Sequence, residues 1–217
     1  MSSWWRSRAP GIVCAGIVLA GTDFGGTRRQ LAASFANLAA EIAGRFARTL
    51  AGPQLPETQI ERRELGKRVI ALDPMIDKAF GESTYLRYHA PILQDANHGL
   101  FRALAGWRGV AGLLRRLPAD MGQQQAETIL RSIPPELQRE PSSPAPWLAN
   151  PLALRRVCEG AERRLLALLA GTPSLRLLAD ETTKVLAGLL EVLDGLALLV
   201  DALPATPFLA IADFGWA

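Results

Sequence analysis

The sequence predicts an all-α protein, a helical bundle of long antiparallel helices behind a short apolar N-terminal segment, and three observations carry that prediction. Hydrophobic residues make up 49% of the 217 but aromatics only 6%, and Ala and Leu supply most of the apolar total. Both lose little rotamer freedom in a helix. The β-branched and aromatic runs that suit strands are nearly missing. Apolar residues also recur every three or four positions in each long stretch between prolines, the spacing that lines one helix face.

The first such stretch, 27–50, lines up Leu31, Phe35, Leu38, Ile42, Phe46 and Leu50, and Gly52-Pro53 with Pro56 ends it. Thr58-Gln59-Ile60-Glu61 reads as a capping box, hydroxyl and carboxylate each satisfying an amide left unpaired at a helix start. Leu65, Val69, Leu72 and Ile76 form the next stripe, which Asp73-Pro74 interrupts. Proline inside a helix removes a hydrogen bond and crowds the preceding turn, so a kink or a restart is expected. In a restarted helix Asp73 is the cap, Pro74 the first residue and Asp77 a favourable first-turn acid. Pro91 opens a third helix to about residue 117, whose Leu93, Asn97, Leu100, Leu104, Trp107, Ala111 and Leu114 form a heptad seam with Asn97 its one polar member. A short helix over 121–133 follows.

Pro134-Pro135 and Pro141-Ser142-Ser143-Pro144-Ala145-Pro146 are expected to form an exposed loop, about 134–150, between two helical halves. Asn150-Pro151 is an N-cap followed by proline in the first helical position, and Leu154, Cys158, Ala161, Leu165 and Leu168 line the inner face behind it. Thr172-Pro173 repeats that start. The last helix carries Leu178, Thr182, Val185, Leu189, Val192, Leu196, Leu199 and Leu203, and Pro204 and Pro207 end it. Helices joined by so short a link as Gly171-Thr172 should pack antiparallel. Glu181, Lys184, Glu191, Asp194 and Asp201 interrupt the last helix, and charges at a bilayer centre cost at least about 2.5 kcal/mol each. It reads as a bundle helix rather than a span.

The N-terminus runs Trp4-Trp5-Arg6-Ser7-Arg8-Ala9-Pro10 into an uncharged stretch, 11–21. As a helix this stretch would be about 16 Å long, against about 30 Å of bilayer hydrocarbon. Three readings fit it: a signal peptide, a buried helix, or the tail of a spanning helix with Trp4, Trp5 and the arginines as interfacial anchors. The chain divides into 1–25, a partial transmembrane or membrane-anchoring segment in the third of these readings; 26–204, a water-soluble helical bundle; and 205–217, an irregular tail.

Candidate chemistry is sparse. The net charge is +3, and arginines fall in the pairs Arg28-Arg29, Arg62-Arg63, Arg115-Arg116, Arg155-Arg156 and Arg163-Arg164. Such pairs suit phosphates or anionic headgroups, or else a solvated face neutralised by Glu61, Glu64, Glu159 and Glu162. Nucleic acid is not expected as a partner. Cys14 and Cys158 have no zinc or redox spacing and read as small apolar residues. His89 and His98, nine apart across Pro91, do not form a metal pair. Asp73 and Asp77 have the i, i+4 spacing of a carboxylate pair, which capping explains without chemistry. Gly21-Thr22-Asp23-Phe24-Gly25-Gly26 lacks the lysine, hydroxyl and preceding strand of a phosphate loop. No catalytic, cofactor-binding or metal-binding residue is assigned; the chain is expected not to be an enzyme and to need no cofactor.

Two stretches carry a family resemblance. Arg68-Val-Ile-Ala-Leu-Asp-Pro-Met-Ile-Asp-Lys-Ala-Phe-Gly-Glu-Ser83 through Tyr85-Leu-Arg-Tyr-His89, with Gly99-Leu-Phe-Arg-Ala-Leu-Ala-Gly-Trp107-Arg108, resembles the fusaric acid resistance (FUSC) family of efflux proteins. Residues 11–29 resemble the segment where that family's first membrane bundle gives way to a soluble helical domain. The resemblance implies a bacterial inner (plasma) membrane protein with its helical domain in the cytoplasm, two transmembrane bundles, and export of fusaric acid or related aromatic carboxylic acids. It implies that this chain is a truncated piece carrying the helical domain, membrane-attached through its N-terminal segment and partnered by further copies or other exporter subunits. The aromatic acid is a partner only in the full-length context, and no substrate-site residue is carried over. The alternative is a soluble or secreted helical interaction module with no transport role.

Overall fold

The computed structural model describes residues 26–52, 58–138 and 143–201, and among them every regular element is helical. In chain order these are α1 (Gly26–Ala51), α2 (Thr58–Ile70), α3 (Asp73–Glu82), α4 (Thr84–Tyr88), α5 (Ala90–Leu114), α6 (Ala119–Ser132), α7 (Pro135–Gln138), α8 (Ala145–Ala149), α9 (Pro151–Ala167), a 3-10 turn (Leu168–Ala170) and α10 (Pro173–Asp201). The expected apolar N-terminal segment, Cys14, Leu203 and the tail lie outside the described residues.

The stripes read from the sequence are the core. Leu31, Phe35, Leu38, Ile42, Phe46 and Leu50 of α1 are all buried, as is the whole α5 seam from Leu93 to Leu114 with Asn97 included. Each fully buried Leu or Phe contributes about 1.5–3 kcal/mol relative to exposure, so these seams hold the bundle together. Helix α10 is the axle, packed on α5, α9 and α1. It runs antiparallel to α9, since Arg155 near the start of one bonds Asp194 near the end of the other at 2.7 Å. It also runs antiparallel to α5, where Ala96 neighbours Gly195 and Gly106 neighbours Glu181 and Val185. The antiparallel pattern is not general: α1 and α5 run parallel, because α2 and α3 carry the chain back between them.

Contact between α5 and α10 is unusually close because glycines face each other. A Cβ built on Gly188 would fall on the Gly99 carbonyl oxygen, and one on Gly99 would fall on the Gly188 carbonyl oxygen. Gly106 and Gly195, one heptad to either side of this contact, meet other residues as closely: a Cβ would stand 2.7 Å from the Glu181 oxygen at Gly106 and 2.6 Å from the Ala96 Cβ at Gly195. Only hydrogen in place of a side chain lets the backbones approach this far.

Two local expectations are corrected. Asp73 does not cap α3: Leu72, at the cap position, keeps helical angles and no side chain bonds the free amides. The α2–α3 junction is therefore a kink in a nearly continuous rod, and the Asp73 carboxylate instead accepts a 2.7 Å bond from the Asn97 amide. The segment 134–150 is not simply an exposed loop. Prolines start two short helices, α7 and α8, which bury Leu137 and Trp147 in the core. Gln138 ties α7 to the end of α6 by donating to the Leu130 and Ile133 carbonyls at 3.0 and 2.7 Å. By contrast, the Asn150 carboxamide caps α9 as expected, accepting from the Ala153 amide at 2.9 Å.

Candidate functional site

The residues singled out for chemistry do not converge. His89 turns its Nδ1 to the Tyr85 carbonyl at 3.0 Å and packs against the Tyr85 and Tyr88 rings. His98 lies near Glu191 on the α10 side. Asp77 is exposed, and Asp73 is engaged with Asn97. The Cys158 thiol is fully buried, and desolvation, with Glu136 and Glu159 adding to it, pushes it up to about 12. Among the described residues no three His, Cys, Asp or Glu side chains are placed to hold a metal ion. Of the glycine-rich stretch only Gly26 is described, at the start of α1.

The arginine pairs separate into distinct roles. Arg155 bonds Asp194 and Glu159 and is a structural clamp between α9 and α10. Arg164 donates to the Ser132 carbonyl at 3.2 Å, holding α9 to the end of α6. Arg28 donates to the Leu199 and Leu198 carbonyls at 2.7 and 2.9 Å. Those are among the carbonyls the last turn of a helix leaves free, where a cation also meets the negative end of the helix dipole. The contact fixes the start of α1 beside the end of α10, so the chain comes into the described bundle and leaves it at one place. Burial lowers the Arg28 pKa and Tyr85, close by, partly offsets it, and α5 begins at the same end, where the Ile92 carbonyl stands 3.8 Å from the position of a Gly195 Cβ. Exposed side chains crowd that end: Tyr88 is 82% exposed, Tyr85 48% and Ile92 37%.

Two grooves flank α2 and differ in electrostatics. The larger, about 730 Å³, lies between α1 and the α2–α3 rod. Each of its three arginines already meets a carboxylate: Glu41 accepts from Arg45 and Arg68 at 2.5 Å, and Glu61 bonds Arg48 at 3.2 Å with Arg45 3.9 Å away. The smaller, about 510 Å³, lies between α2 and α5 and is lined by Arg62, Arg63, Arg108 and Arg115 with Gln59 and Gly66 and no carboxylate. At its base the Arg62 guanidinium carbon sits 5.3 Å from the centroid of the Trp107 ring. That ring is itself fixed, its Nε1 donating to the Thr49 hydroxyl at 2.9 Å while the hydroxyl donates to the Arg45 carbonyl at 3.0 Å. The Nη1 of Arg62 is buried and meets no acceptor. Burial lowers the Arg62 pKa, and Arg115 and Arg108 lower it further, outweighing Glu61. Along the chain Arg62-Arg63 and Arg115-Arg116 stand as adjacent pairs and Arg108 stands alone. The groove joins Arg62 with Arg108 and Arg115 across two antiparallel rods, a pairing no local spacing reveals.

Comparison with known proteins gives one match. The model of the fusaric acid resistance protein family covers residues 9–208, whereas no curated protein and no solved structure matches the chain.

Proposed function

Since the chain belongs to the fusaric acid resistance protein family, whose members are membrane proteins associated with efflux, we propose that the bundle is a non-catalytic cytoplasmic helical domain of an aromatic-acid exporter, held at the inner membrane and serving its assembly or gating. The observation that carries this reading is the Arg28 contact with the Leu198 and Leu199 carbonyls. A domain that rises from a membrane face and returns to it needs both its chain ends at one place, and Arg28 holds them there. Exposed Tyr85 and Tyr88 at that end suit a bilayer interface, where aromatic rings with a polar tip settle at headgroup level. No described helix is long and apolar enough to cross a membrane; in this reading the bundle supports the spanning parts and the aromatic acid passes through those, with further copies or other exporter subunits as partners.

Fractionation tests the attachment. The tagged full chain should sediment with membranes, and a chain lacking residues 1–25 should be released. An Arg131→Cys variant should react with an impermeant maleimide in inverted vesicles but not in intact cells. A full chain found in the soluble fraction, or labelling from outside, refutes the reading. Deleting the coding sequence should raise retention of labelled fusaric acid if the substrate class is correct.

A further inference from the structure

We propose that the groove between α2 and α5 is a binding site for a small multivalent oxyanion of the phosphate class, gripped by the guanidinium groups of Arg62, Arg108 and Arg115 with Arg63 at the rim. Four arginines line the groove and no carboxylate does, although the neighbouring groove on the other side of α2 matches its arginines with Glu41 and Glu61. Glu61 adjoins Arg62 in sequence but is bonded to Arg48 of α1, across the helix. Among the described residues none of the four groove arginines makes an ion pair. Like charges gathered with no ion-paired counter-charge, Glu61 acting on Arg62 too weakly to offset Arg108 and Arg115, are unfavourable unless something compensates them. A water molecule would satisfy the orphaned Nη1 of Arg62 but leave the charge standing. An anion does both.

The site is built rather than incidental. Arg62 lies over the Trp107 ring, that ring is fully buried, and its indole N–H is held by Thr49. The guanidinium is thereby fixed before any ligand arrives, and its planar fork suits the paired oxygens of a phosphate group. Arg108 and Arg115 are exposed and approach along α5, two turns apart, so they span a ligand of more than one charged group. A single carboxylate would leave most of the charge unmatched, which points to phosphate, pyrophosphate or a phosphorylated headgroup. Free anion and lipid headgroup share this chemistry.

The test uses the purified full chain in detergent, titrated calorimetrically with pyrophosphate at constant ionic strength, and in parallel the excess of its binding to vesicles of phosphatidylcholine and phosphatidylglycerol in equal parts over its binding to phosphatidylcholine alone, a difference in which attachment through residues 1–25 cancels. Arg108→Gln and Arg115→Gln, both surface changes that spare the core, should each weaken binding roughly tenfold, the loss of one charge-assisted contact. Arg62→Lys keeps the charge but loses the fork and should weaken it comparably, with circular dichroism reporting that the fold is kept. Arg163→Gln, a basic residue outside the groove, should change nothing. Pyrophosphate binding with this pattern identifies a free anion as the occupant. Binding to vesicles alone, with the same arginine dependence, identifies a headgroup. No binding in either arm, or binding indifferent to Arg108 and Arg115, overturns the proposal. Neither result bears on membrane attachment through residues 1–25, which fractionation reads separately.

Discussion

Replacing Gly188 with alanine adds one methyl group at the tightest point between α5 and α10, and the sign of its effect separates close packing from helix propensity. Propensity alone favours the change by about 1 kcal/mol. The new Cβ, however, would collide with the Gly99 carbonyl oxygen and stand 2.8 Å from the Ala103 amide nitrogen and 3.2 Å from the Ala103 Cβ. Two of those atoms are helix backbone, which no rotamer change can move aside. Ordinary contact needs about 3.5 Å or more, so the helices must part by on the order of 1 Å. Leu93, Leu100, Leu189 and Leu196, buried along the same pair, would lose contacts as they do. Overpacking costs about 1–3 kcal/mol, and a backbone obstruction places Gly188 at the top of that range. Subtracting the propensity gain leaves a net loss of about 2 kcal/mol, or about 4–8 °C in Tm for a chain of this size. Gly112, on α5 but with no atom within 4 Å of its would-be Cβ, is the control: Gly112→Ala should stabilise by about 0.5–1 kcal/mol. Urea unfolding followed by far-UV circular dichroism measures both. A Gly188→Ala chain as stable as the wild type would show that α5 and α10 do not approach this closely.

Four further outcomes are expected. Thr49→Val should lower the urea midpoint by the equivalent of about 1–3 kcal/mol, because it leaves the buried Trp107 indole N–H without its acceptor; an unchanged midpoint would mean the N–H finds another partner. Asn97→Leu should be neutral or stabilising in the same assay, since it removes a buried Oδ1 that has no partner while exposed Asp73 returns to water. At pH 8 only about one Cys158 side chain in ten thousand would be thiolate, given a thiol pushed up to about 12, so disulfide reagents should modify it only as fast as the chain unfolds. Burial holds the Glu191 carboxyl above its ordinary 4.5, with Asp95 and Asp194 opposing Arg102 and His98. The folded chain therefore binds this proton more readily than the unfolded one, stability falls as pH rises through the window above 4.5, and Glu191→Gln should flatten that part of the profile.

Helix faces were legible in the sequence because burial of a helix repeats locally: Leu65, Val69, Leu72 and Ile76 sit one turn apart and all four are buried. Asn150 was legible as a cap for the same reason, its acceptor being three residues from its donor. What failed was whatever depends on a partner distant in sequence. Asp73-Pro74 has the pattern of a cap and first residue, but tertiary packing keeps Leu72 helical and Asn97 claims the carboxylate. The proline-rich stretch was read from its prolines, whereas Leu137 and Trp147 decide its placement by burying themselves. Gly99 with Gly106, and Gly188 with Gly195, each a heptad apart, were a signal in plain sight. A glycine in a helix reads as a weakness until the opposing glycine is known. The arginine groove was hidden likewise, since Arg62 and Arg115 become neighbours only when α2 and α5 pack antiparallel.

The close α5–α10 contact also sets how the two ends of the bundle can influence one another. Ile92, at the end where the bundle is entered and left, and Arg115, the C-cap of α5 at the groove, lie at opposite ends of one helix about 35 Å apart. Sliding that helix along α10 would move the Ala96 and Ala103 side chains off Gly195 and Gly188 and onto neighbouring α10 side chains. Close-packed interiors transmit displacement instead of absorbing it. The α5–α10 pair is therefore one packed unit joining the groove to the Tyr85–Tyr88 end, and Gly188→Ala, which parts the two helices, is the substitution that should weaken it most.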